Sequence, residues 1–154
     1  MISPGLRVQP NVRRGYKLTA HLRAKISWHD YLRRIAMSTS IVSLDGTVEA
    51  ELSEPPAERL IAGTPELQVR NYFIDTSQQF FAGRWSATRG KWRVRYTENE
   101  LCVMTAGKVT IESTSGERLS FGPGDAFVIP AGFTGTWEVT EDCTKIYAIF
   151  EARS

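Results

Sequence analysis

The stretch FGPGDAFVIPAGFTGTW, residues 121–137, sets one short apolar strand, Asp125 to Ile129, between two glycine/proline turns. Working outward from it, short runs rich in β-branched and aromatic residues recur at close spacing. Upstream lie LQVRNYFID (67–75), QFFAGRWSAT (79–88), WRVRYT (92–97), ELCVMTA (100–106), KVTIES (108–113) and RLSF (118–121). Downstream lie GTWEV (135–139) and KIYAIFE (145–151). Clusters of Gly, Pro, Asn, Asp or Ser separate these runs, and TSGE (114–117) places Gly where a tight hairpin needs it. No long helical period intervenes. Eight or nine short strands with regular turn signals predict an all-β sandwich or barrel.

The 154 residues suffice for one domain with a single core, and apolar and charged fractions of 42% and 23% are those of a globular chain. No apolar run is long enough to span a bilayer as a helix, and no membrane partner is expected. Cys102 and Cys143 sit in no CxxC or Cys/His pattern. They read as two reduced thiols packed in the core, in keeping with a cytoplasmic location.

The net charge of +2 conceals an asymmetry. Residues 1–36 contain eight Lys or Arg against Asp30 alone, a net of +7, which leaves −5 for residues 37–154. The chain therefore divides into a basic extension (1–36), an arm and Glu/Pro-rich loop (37–66), and the β domain (67–154). AHLRAKISWHDYLRRIAM (20–37) spaces Leu22, Ile26, Leu32 and Ile35 in a loose helical rhythm. Three readings of the extension stay open: a binder of nucleic acid or an anionic membrane face, an Arg-rich targeting segment, or an over-extended reading frame with Met37 as the true start. A net of −5 argues against nucleic-acid binding by the β domain itself.

Two spaced motifs carry a family resemblance. G-D-x4-P-x-G stands intact as Gly124, Asp125, Pro130 and Gly132, and E-x6-G precedes it as Glu100 and Gly107. These resemble the two motifs of the cupin superfamily. PAGFTGTW (130–137) is similar to the small single-domain cupins grouped with ureidoglycine aminohydrolase. The resemblance covers roughly residues 60–151 and implies a single jelly-roll β-barrel, commonly a dimer, here expected to associate through strands around Leu67–Ile74.

The resemblance also implies where a metal would sit. Enzymatic cupins hold a divalent ion with three histidines and a glutamate, and those histidine positions fall here on Val94, Tyr96 and Gly135. The chain has no histidine beyond residue 36, so only the glutamate position, Glu100, survives. No metal cofactor is expected. An oxygen-rich Mg or Mn site from Glu98, Glu100 and Tyr96 is the alternative.

Strand alternation puts Glu100, Cys102 and Met104 on one face. Tyr96 and Glu98 share that parity if the turn between them does not reset it. Lys145 shares a face with Tyr147 and Ile149, and resemblance implies that it is the cation facing Glu100. Against this stand two simpler possibilities, Lys145 on the surface at a strand start and Glu98 solvated in a turn. Arg93 and Arg95 alternate with Trp92, Val94 and Tyr96 and are expected to coat the outside. Trp137 with Trp85, Trp92 and several Phe lines a ligand pocket or simply fills the core. The glycines of FAGRW and GFTGTW mark the expected pocket mouth.

The ligand set is then Tyr96, Glu98, Glu100, Cys102, Trp137 and Lys145, with Glu100, Tyr96 and Lys145 as catalytic candidates. Three functions remain in contention: a metal-independent cupin binding a small polar metabolite, an enzyme like ureidoglycine aminohydrolase acting on a C–N bond at an atypical metal site, or a non-enzymatic interaction module.

Overall fold

The computed structural model describes residues 40–152, so the basic extension and the readings placed on it lie outside the described residues. Nine strands follow in order: β1 (Glu51–Ser53), β2 (Leu60–Gly63), β3 (Leu67–Ile74), β4 (Phe80–Ala87), β5 (Gly90–Arg95), β6 (Asn99–Ser113), β7 (Arg118–Phe121), β8 (Ala126–Ile129) and β9 (Thr134–Phe150). All pairings are antiparallel. The all-β expectation holds, and the sheet curls as a jelly roll does.

Two long strands organise the curl. β6 and β9 pair with each other from Asn99↔Phe150 to Ser113↔Gly135. The later half of β9 is flanked by β4, and the facing half of β6 by β8. The early half of β9 is flanked by β5, and the facing half of β6 by β7. One half-sheet is thus β1-β3-β4-β9-β6-β8 and the other β2-β5-β9-β6-β7, with β6 and β9 common to both.

The sequence pattern breaks both long strands in two, and the structure joins them. The corner in β6 falls at register shifts between Met104 and Val109. Gly107 lies there at φ 70°, and a Cβ on it would stand 2.1 Å from the Asp142 carbonyl oxygen of β9. Only glycine lets the two backbones meet so closely while the ladder turns. A second difference concerns β1 and β2, which fall in the stretch read as arm and loop. They are three and four residues long, too short for alternation to register.

The turns of the opening stretch now have an explanation. Gly124 and Gly132 sit at φ 91° and 90°, which a side-chain-bearing residue rarely adopts. The first turn fastens to β6: Gly124 N–H donates to the Met104 carbonyl and Met104 N–H to that of Asp125, both at 2.9 Å. The second fastens to the end of β5: Gly132 N–H donates to the Tyr96 carbonyl and Tyr96 N–H to that of Phe133, again at 2.9 Å. β8 is short because both its ends are pinned to strands that carry interior side chains.

Inward-facing residues build one core, with Trp92, Trp137, Tyr96, Tyr147, Leu67 and Met104 among the largest fully buried side chains. Burial of each such side chain is worth roughly 1.5–3 kcal/mol against exposure.

Candidate functional site: a buried ion pair between two indoles

Alternation is strict from Trp92 through Glu100, so the turn after β5 does not reset the register. Val94, Tyr96, Glu98 and Glu100 all point inward and are buried, while Arg93 and Arg95 are exposed on the outside. Glu98 is therefore not a solvated turn residue. Its carboxylate folds back over the turn and accepts from the Thr97 N–H at 2.8 Å and the Thr97 hydroxyl at 3.0 Å.

Lys145 is not a surface lysine at a strand start. It lies within β9, paired with Trp85 of β4 on one side and Met104 of β6 on the other. Its ammonium donates to Glu100 Oε1 at 2.8 Å and to Cys102 Sγ at 3.2 Å. Lys145 is 2% exposed and Glu100 3%. Two indoles enclose the ammonium, Trp137 with its ring centre 4.5 Å away and Trp85 at 5.1 Å. Desolvated cation–π contacts of this kind contribute about 2 kcal/mol. The two rings meet edge to face at 5.6 Å.

The electrostatics follow from this closure. Burial opposes the lysine's charge, but its hydrogen bonds to Glu100 and Cys102 and the Glu100 charge outweigh that and hold the Lys145 pKa above the ordinary 10.5. Burial, together with the Glu100 charge, pushes the Cys102 thiol up to about 12 despite the nearby ammonium. The thiol is thus neutral near pH 7, and Glu100 is the anion that answers Lys145. Burial, then the charges of Glu100, Cys102 and Glu98, raise the Tyr96 phenol well above its ordinary value. Tyr147 is raised in the same way by burial and Glu100. Its hydroxyl meets the Asn71 side chain at 3.0 Å.

The structure therefore gathers Tyr96, Glu98, Glu100, Cys102, Trp137 and Lys145 in one interior. It adds two groups that the site prediction omitted, Trp85 against the ammonium and Tyr147 opposite Cys102. Tyr147 shares strand parity with Lys145, a signal present in the sequence. Trp85 faces Lys145 through a pairing sixty residues apart, which no local pattern reveals.

One expectation about the surroundings is corrected in part. Gly83 of FAGRW and Gly135 of GFTGTW do not open onto a ligand, whereas a Cβ on Gly132 would meet nothing within 4 Å. A Cβ on Gly83 would stand 2.2 Å from the Arg70 carbonyl oxygen and 2.6 Å from the Tyr147 hydroxyl, and one on Gly135 would stand 2.1 Å from the Glu112 carbonyl oxygen. Both positions are filled by neighbouring protein.

The residues at the cage positions do not fit a transition metal. Val94 and Tyr96 offer no imidazole, Gly135 leaves no room for one, and Glu100 is bonded to an internal ammonium. In the oxygen-rich alternative both carboxylates already accept from protein donors, Glu98 from Thr97 and Glu100 from Lys145; among the described residues no group of three or more His, Cys, Asp or Glu converges. Nor, among them, is any helix long and apolar enough to cross a membrane.

A curled antiparallel sheet, paired glycine corners and one inward glutamate on β6 define a cupin-class barrel. Comparison with known proteins agrees. Residues 75–147 match the family model of the EutQ-like cupin domain, and the fold is that of the cupin superfamily. Among solved structures it resembles a protein of unknown function of the DUF861 family from Pseudomonas syringae, at 23% identity and a TM-score of 0.63 over 70% of this chain. It also resembles the EutQ protein of Clostridium difficile (17%, TM-score 0.51, 57% of this chain). A putative ethanolamine utilization protein Q from Salmonella typhimurium aligns at 12% with a TM-score of 0.51, over 70% of this chain and all of that one. The chain spans 46% of the Pseudomonas protein and 64% of the Clostridium one. At these identities the likeness concerns the fold alone. No curated protein matches significantly.

Proposed function

We propose that this cupin binds a small polar metabolite in the barrel without a divalent metal, using the Lys145–Glu100 pair as its polar anchor. Tyr96, Glu98, Cys102 and Trp137 surround that anchor. The observation that carries the reading is an ion pair at 2.8 Å, nearly fully buried, beside two indole N–H groups, on Trp85 and Trp137, that find no hydrogen-bond partner among the described residues. Stability alone does not call for such a pair, because well-packed apolar residues of similar volume are often as stable or more so. Buried donors without partners are uncommon and point to an acceptor supplied from outside the chain. A carboxylate- or amide-bearing metabolite would supply it.

The test combines native mass spectrometry of the protein as isolated with thermal shifts against small carboxylates, amides and amines. A ligand at a hundredfold its Kd adds about 2.7 kcal/mol, roughly 5–10 °C in Tm. That shift is expected in the wild type and absent in the Glu100→Leu/Lys145→Met double variant. Retention of a stoichiometric transition metal, or no shift with any compound and no copurified molecule, would overturn the reading. The C–N hydrolase alternative has less support, since metal-activated water would need ligands that these positions do not offer.

A further inference from the structure

The charges of the barrel interior leave no cation to spare. Among the described residues Lys145 is the one buried cation, and Glu100 meets it at 2.8 Å. Glu98 is a second buried carboxylate, bonded to the Thr97 N–H and hydroxyl. Burial keeps the Cys102 thiol and the Tyr96 and Tyr147 phenols protonated near pH 7, so none of them adds a charge. Hydrogen-bond donors, by contrast, are in surplus. The indole N–H groups of Trp85 and Trp137 find no acceptor among the described residues, although the two residues are only 4% and 1% exposed. Their rings stand 5.6 Å apart, edge to face, and lie 5.1 and 4.5 Å from the ammonium. Orphan donors and ion pair therefore share one region of the interior. Lys145 engages Oε1 of Glu100 there, and a carboxylate has acceptor capacity well beyond one bond.

Carboxylate, ammonium and amide head groups meet these surroundings differently. A ligand carboxylate supplies an acceptor for the indoles but brings a negative charge that no free cation balances. Burying such a charge unpaired is costly. An ammonium is repelled by Lys145 and has no lone pair to offer an indole N–H. A primary amide is neutral and carries both missing functions. Its carbonyl oxygen accepts from an indole N–H, and its own NH2 donates to a carboxylate.

We infer that the ligand presents a neutral primary amide to this interior, its carbonyl on the indole N–H groups of Trp85 and Trp137 and its NH2 on Glu100. The inference rests on the reading above that the barrel holds a small metabolite. The test uses the full chain labelled with ¹⁵N and three probes on one carbon skeleton: propionamide, propionate and propylamine. At pH 7 these are neutral, anionic and cationic. Indole N–H signals are followed in ¹H–¹⁵N correlation spectra, and Trp85→Phe and Trp137→Phe variants assign the two that matter. Propionamide is expected to shift both signals saturably in the millimolar range. It should bind at least about tenfold more tightly than either charged probe. Each Phe variant keeps a ring beside Lys145 and should weaken propionamide about fivefold. The comparison among probes is made on the wild type and needs no variant. Propionate or propylamine binding as tightly as propionamide overturns the inference and leaves metabolite binding by the barrel in place. So does propionamide binding that moves neither indole signal. If none of the three binds saturably, the inference also falls, and the wider compound screen described above then decides the reading beneath it.

Discussion

Removing the ammonium at Lys145 probes the interior most directly. In Lys145→Met the side-chain volume is nearly kept, and Glu100 loses its 2.8 Å partner while staying buried among Trp137, Trp85 and Tyr96. The side chains of Lys145 and Glu100 are 3% and 5% exposed, so solvent screening does little to soften the loss. Breaking a pair this buried costs about 3–5 kcal/mol. For a domain of this size that lowers Tm by roughly 10–15 °C. Glu100→Leu should cost a similar amount, because it leaves the ammonium held only by a neutral thiol and two ring faces. The double variant Glu100→Leu/Lys145→Met removes both charges together. It should return to within about 1 kcal/mol of wild type or exceed it. Urea unfolding followed by tryptophan fluorescence measures all four proteins. Single variants that lose less than about 1 kcal/mol, or a double variant no better than the worse single, would refute the argument. Recovery in the double variant together with lost ligand binding would separate what the pair does for folding from what it does for recognition.

Two further outcomes follow from the same geometry. Gly135→His, the first step in rebuilding a histidine cage, places a Cβ against the Glu112 carbonyl and should destabilise the domain by more than about 4 kcal/mol, seen as insoluble expression or a collapsed thermal transition. On the alkaline side, Cys102 and Cys143 are raised by burial to about 12 and about 11, and Lys145 is also raised. Each therefore binds its proton more tightly when folded, so stability is fully present below pH 9 and is lost as pH climbs toward 12. Urea midpoints at pH 7, 9 and 10.5 should stay level over the first interval and drop over the second, and a midpoint that rises above pH 9 would contradict this assignment.

Much of the fold was legible because strand alternation and turn chemistry are local. The inward set of Tyr96, Glu98, Glu100 and Cys102 follows from counting by twos, and the exterior placement of Arg93 and Arg95 from the same count. What stayed hidden was non-local. Gly107 and residues 140–144 fall between the runs that the sequence pattern separates, yet they form the corner at which β6 and β9 continue. Lys145 could be read inward or outward because its partner Glu100 lies 45 positions away, across a ladder with three register shifts. Gly83 and Gly135 were misjudged for a related reason: an absent side chain does not say whether a ligand or a carbonyl fills the space.

The sharing of β6 and β9 between both half-sheets has a mechanical consequence. Each strand runs unbroken through the corner, 15 and 17 residues long, so no hinge separates the halves. Neither can melt while the other persists, because opening one unzips the spine of its neighbour. Such a domain loses its structure in one cooperative step, with no half-folded species in which the buried charges would meet water alone.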